Sequence, residues 1–208
     1  MLLLVLQVIV MYAQTGPGGV GTSFNNALWL RANTGTSTTT HGAAIASWND
    51  QSGNGNNVTQ SNANQRPLYI SNFMNGYPVI QFDNNNSAGQ NDYLTGVDAA
   101  SLDNTAGLSV FTVTRMTNLG DARNIIAKRT NVGVNQAYMF FYYTSNYMWL
   151  DVVSNDNRFS TNPTTYTTGT NYILDFIYDG TLAAASRSKI YTNNSLTTTA
   201  TETNTSIP

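Results

Sequence analysis

The chain has 208 residues, a net charge of -2 and only 10% charged residues, against roughly 25% in an average soluble protein. It contains no cysteine, which excludes a disulfide framework, a cysteine zinc site and thiol catalysis, and its charge provides no basic field for nucleic acid. Hydrophobic residues at 41% can fill a core, and the length suits one β-sandwich domain.

Taken in order, Leu2 to Val10 is almost wholly apolar and too short to span a bilayer. It fits the apolar centre of an export signal, with Ala13 as the small residue before Gln14. Residues 1–13 are therefore read as a signal peptide, with a buried first strand as the alternative. No Lys or Arg precedes the run, so the true start is expected upstream. Residues 14–24 form a Gly-rich lead-in, and one sandwich domain is expected over 25–208.

Short apolar runs follow at Ala27–Leu30 and Ala43–Trp48, and Trp29 and Trp48 within them are expected in the core. Asn49 to Asn57 is dense in Asn, Gly, Asp and Ser and must be a tight irregular loop. Pro67–Ile70 and Pro78–Phe82 read as strands joined at Asn75-Gly76, a strong hairpin signal. Leu108–Thr114 alternates only in part, which suggests burial on both faces. Ile125–Lys128 comes next, then Ala137–Tyr143 and Tyr147–Val153 as a hairpin around Thr144–Asn146, then Tyr172–Tyr178 and Lys189–Thr192. Many short strands with turns between them mean an all-β, two-sheet antiparallel sandwich. The polar end from Thr198 to Pro208 reads as a connection to strands beyond it. Residues after about Thr199 are expected to lie extended with few contacts, and an open sheet edge is expected near Ala27–Leu30.

Several segments, in this order, carry a resemblance. They are Leu28-Trp29-Leu30-Arg31-Ala32, Trp48-Asn49-Asp50-Gln51-Ser52-Gly53-Asn54-Gly55-Asn56-Asn57, Asn75-Gly76-Tyr77-Pro78-Val79-Ile80-Gln81-Phe82-Asp83, Asn91-Asp92-Tyr93-Leu94, Tyr178-Asp179-Gly180 and Ile190-Tyr191-Thr192-Asn193-Asn194. Over roughly residues 25 to 195 the chain resembles a concanavalin A-like, laminin-G-like jelly-roll domain of large secreted proteins of Bacteroidota-type bacteria. Asn33, where the family often has Asp, and the Asn-rich insert between Asp83 and Asp92 depart from the pattern. The resemblance implies a jelly-roll fold, its last strands lying beyond Pro208, and binding of a glycan or protein more often than chemistry.

Catalytic groups are scarce. Glu202 is the only glutamate and His41 the only histidine. A retaining glycosidase needs two carboxylates about 5 Å apart. Asp151 and Asp156 differ in strand parity and cannot share a face. In the loop at Asp50, Ser52 and Asn54, oxygen side chains stand at alternate positions, so a calcium ion is weighed there against a turn held by side-chain hydrogen bonds. Asp83 and Asp92 are open to the same two readings. For ligand binding, Met148, Leu150 and Val152 form the apolar parity of the second hairpin strand and should face the core. Tyr147, Trp149 and Asp151 should then point out, with Tyr143 and Phe141 across from them, as a stacking platform for sugars. That face packing under another strand or loop is the alternative.

The reading is a non-catalytic carbohydrate-binding or adhesion module of a larger secreted or cell-surface protein. It has no membrane span, and its partners are a glycan or extracellular protein and other domains of the same chain. The alternatives are a structural spacer in a large adhesin, or part of a glycan-degrading enzyme whose catalytic residues lie elsewhere.

Overall fold

A computed structural model describes residues 15–83, 91–103, 106–119, 122–131, 134–153 and 158–208. The signal-peptide assignment at residues 1–13 and Asp156 lie outside them. The described residues form thirteen strands and short 3-10 turns, so the protein is all-β with several antiparallel sheets. No described helix is long and apolar enough to cross a membrane. Packing divides the chain into two compact units, Met1–Leu102 and Asp103–Pro208.

The first unit carries a three-stranded sheet of β1 (Ser47–Trp48), β2 (Val58–Thr59) and β5 (Thr95–Gly96), and a hairpin of β3 (Leu68–Met74) and β4 (Tyr77–Gln81). The hairpin turns at Asn75 and Gly76, both at positive φ, because only that turn handedness matches the twist of the flanking strands. Ala27–Leu30 forms no strand and hence no open sheet edge. Trp29 and Trp48 are half-buried rather than core residues. The Trp48 indole donates to the Arg31 carbonyl, and the Arg31 guanidinium lies 5.2 Å from the Trp29 ring centre.

The second unit is a sandwich of two four-stranded sheets. One is a meander of β7 (Arg123–Asn131), β8 (Val134–Tyr143), β9 (Tyr147–Val152) and β10 (Phe159–Ser160). The other runs β6 (Gly107–Arg115), β11 (Asn171–Asp179), β12 (Ser188–Thr192) and β13 (Ser195–Ala200). Period-2 alternation sends one parity of each strand inward. Tyr138, Phe140 and Tyr142 of β8 and Met148, Leu150 and Val152 of β9 meet Leu174, Phe176 and Tyr178 of β11 and Ile190 of β12 in a closed core. The Phe140 and Phe176 rings approach to 5.8 Å between the sheets.

The polar end does not lie free. Ser195–Ala200 continues from β12 through Asn193 and Asn194, both at positive φ, and pairs with it as a hairpin. Beyond it the chain crosses the core: Ile207 is buried among the aromatic residues and Glu202 is buried as well. Arg187 donates to the Glu202 and Thr203 carbonyls, and the Tyr178 hydroxyl donates to the Asn204 carbonyl. The sequence-based expectation of an extended, contact-poor end is overturned because Arg187 and Tyr178 provide donors for this backbone.

Candidate functional site

Three places bear on function. The first is the loop around Asp50. One carboxylate oxygen accepts from the backbone N–H groups of Trp29 (2.8 Å) and Ser52 (2.9 Å). The other accepts from the Ser52 hydroxyl (2.6 Å) and the Asn56 N–H (3.1 Å). Burial raises the Asp50 carboxyl, but these four hydrogen bonds outweigh it and hold the group below its ordinary value. The Ser52 side chain is spent on Asp50, and the Asn54 amide turns its N–H toward the Asn26 carbonyl. Calcium takes six to eight oxygen lone pairs. Asp50, Ser52 and Asn54 as placed do not fit it. The loop is a turn held by side chains, and it also anchors the Ala27–Leu30 segment, which explains why that apolar run is straightened without pairing as a strand. Asp83 and Asp92 are also joined directly, the Asp83 N–H donating to the Asp92 carboxylate.

Replacing Asp50 with alanine should speed hydrogen exchange at the N–H groups of Trp29, Ser52 and Asn56 by about tenfold or more. A depressed carboxyl contributes stability that is present above its unfolded value, near 3.8, and is lost as pH falls through the lower folded value. The protection of these three amides should therefore fade only below about pH 4, and millimolar calcium should leave it unchanged. Protection that rises with calcium would restore the metal reading.

The second place is the outer face of the β7–β10 sheet. Here the expected platform is largely closed. Trp149, Tyr147 and Tyr143 are half-buried, whereas Phe141 and Asp151 are buried. Asp151 does not point at solvent: Arg158 grips it with two hydrogen bonds of 2.7 and 2.8 Å, and the guanidinium lies 5.3 Å from the Phe141 ring centre. This pairing holds the Arg158 pKa above its ordinary value. Asp151 is therefore a structural ion-pair partner and not a free rim group. Tyr143 meets Trp149 edge-on at 6.1 Å, and the Trp149 indole N–H is buried without a hydrogen-bond partner.

The third place was not legible in the sequence. On the outer face of the other sheet, Phe111 of β6, Asp175 of β11, Tyr191 of β12 and Leu196 of β13 stand opposite one another in one row. Val113 and Ile173 form the next row. Phe111 is 70% exposed and Val113 62%, and Ile173 and Leu196 are exposed too. The sequence suggested that Leu108–Thr114 is buried on both faces; only its even parity is covered, and the odd one meets solvent. In the middle of this apolar ribbon sits Asp175, 7% exposed, with Oδ1 buried and unpartnered. Burial raises its carboxyl above the ordinary value, and no neighbouring charge offsets that.

Comparisons with family models, with curated proteins and with solved structures returned no match to the chain. Asp151 and Asp175 lie on opposite outer faces of the sandwich, more than the sheet spacing of about 10 Å apart, too far to act as a glycosidase pair. His41 Nδ1 lies 3.0 Å from the Ser71 hydroxyl but also accepts the Ser71 backbone N–H, which ties the ring to the strand.

Proposed function

We propose that the chain is a non-catalytic adhesion module of a larger secreted or cell-surface protein, and that it binds an extracellular protein through the outer face of the β6, β11, β12 and β13 sheet. The observation that carries this reading is the exposed ribbon of Phe111, Val113, Ile173 and Leu196 on one face of a four-stranded sheet. A contiguous exposed apolar patch on a folded domain marks an interaction site more often than chance. Three of its four side chains, Val113, Ile173 and Leu196, are aliphatic and suit a protein surface better than a sugar, which stacks on aromatic rings. A structural spacer would gain nothing from such a face.

Carbohydrate binding has one specific observation behind it, the unpartnered indole N–H of Trp149 beside the half-open Tyr143 ring. One experiment separates the two readings. The full chain is challenged with an array of purified extracellular proteins and glycans, alongside Phe111→Ser/Val113→Ser and Trp149→Ala variants. Binding to a protein should appear, and the double serine variant should weaken it by about tenfold or more, as expected when central apolar anchors are lost. Glycan binding abolished by Trp149→Ala would favour the sugar reading instead. Protein binding indifferent to the serine pair, or no binding at all, would overturn the proposal.

A further inference from the structure

The apolar ribbon alone does not say what chemistry its partner carries; Asp175 does. We infer that Asp175 is the specificity-determining group of this face and receives an arginine side chain presented by the partner protein. This inference rests on the adhesion reading above and narrows it to one kind of occupant.

A carboxylate buried at this position without a partner is costly. Asp175 lies at the centre of the sheet, with Phe111 directly across on one side and Tyr191 on the other. Directly opposed residues keep their Cβ atoms about 4.5–5.5 Å apart, so an aromatic side chain starts from each side of Asp175. Buried polar groups in folded proteins are hydrogen-bonded, and an exception calls for an explanation. Among the described residues, Asp175 Oδ1 has no hydrogen-bond partner. The basic residue nearest to it on this face, Lys189 of β12, stands beside Ile177 in the register rather than beside Asp175, and its field acts on Asp179. Among the described residues, no charged group pairs with Asp175. An uncharged or β-branched residue would serve the sheet better, as Val113 and Ile173 do in the adjacent row.

A lone carboxylate framed by aromatic rings on an apolar face is complementary to a cation with an apolar stem. Guanidinium fits best. Its planar fork pairs with both carboxylate oxygens, it stacks on aromatic faces, and it is more weakly hydrated than ammonium. Its methylene stem would lie along the exposed side chains of Phe111 and Val113. The Phe111 ring is exposed, and exposed side chains change rotamer within nanoseconds, so the ring can adjust to a bound guanidinium without moving the sheet.

The test uses two small probes on the full chain, n-butylguanidinium and its neutral analogue n-butylurea, followed by NMR shifts of the Phe111, Val113, Asp175 and Tyr191 side chains. Wild type should bind butylguanidinium about tenfold more tightly than butylurea, and Asp175→Asn should bring the two within about twofold, since only the charge pairing is removed. Equal affinities in wild type would overturn the inference while leaving the adhesion reading intact. No shift on this face with either probe would also overturn the inference, while the adhesion reading is decided by the protein array. Stability provides an independent readout. A carboxyl raised by burial opposes folding above its unfolded value, so Asp175→Asn should melt several degrees higher at pH 7, a gain that fades as pH falls toward about 4. A variant that melts lower at pH 7 would make the carboxylate structural and end the proposal.

Discussion

Arg158→Met should cost the second unit about 3–5 kcal/mol, because it removes the guanidinium that grips both oxygens of the buried Asp151 carboxylate. Asp151 is fully buried on β9, and both its oxygens are gripped by Arg158. Natural domains are stable by only about 5–15 kcal/mol, so the single variant should unfold far earlier in urea. The pair as a whole contributes much less, since the Coulomb gain of a buried ion pair is largely cancelled by its desolvation. The double change Asp151→Leu/Arg158→Met should therefore recover most of the loss. A thermodynamic cycle over the four proteins isolates that coupling. A single Arg158→Met variant that unfolds within about 0.5 kcal/mol of wild type, the range typical of surface substitutions, would show that Arg158 is not what holds Asp151 in the fold.

The same ion pair shows where sequence reasoning stops. Parity along Tyr147–Val153 sorted the core side correctly: Met148, Leu150 and Val152 are all buried inside the sandwich. It sorted the other side by face and not by burial. Asp151 is closed off by a residue seven positions on, brought back when β10 pairs with β9 through Phe159 and Leu150. Parity carries no information about that return. Local chemistry was far more legible. Asn75-Gly76 announced its hairpin because few residues accept positive φ twice in succession, and Thr144–Asn146 turns between Tyr143 and Tyr147 as its composition suggested.

The exposed ribbon escaped notice for a physical reason. A strand apolar on both parities is usually covered on both faces, and Leu108–Thr114 gives no local sign that one side meets solvent. Asp175 was equally silent. It stands between Leu174 and Phe176 in an apolar run, and a lone Asp in a strand gains meaning only when its cross-strand neighbours are known to be Phe111 and Tyr191. The face proposed for binding comes from strand register and side-chain exposure together.

Ile207→Ala should destabilise the second unit by about 2–5 kcal/mol, the range for truncating a buried aliphatic side chain. Composition argues the opposite, since eight of the eleven residues from Thr198 to Pro208 are Thr, Ser, Asn or Glu, as in a solvated connection. Packing decides. Ile207 is 1% exposed and belongs to the same core as Phe140 and Phe176. The chain reaches it along a hydrogen-bonded path: the Glu202 N–H donates to the Ala184 carbonyl, the Glu202 side chain accepts from Asn204, and the Tyr178 hydroxyl donates to the Asn204 carbonyl. Gly180 makes room for this path, because a Cβ there would clash with the Thr205 carbonyl. Ile207→Leu, which keeps the volume, should cost less than about 1.5 kcal/mol. Gly180→Ala should destabilise the unit although it adds only a methyl group and leaves Ile207 untouched. Denaturant unfolding of the three variants checks the set. If Ile207→Ala and Gly180→Ala both unfold like wild type, the end of the chain does not close the core.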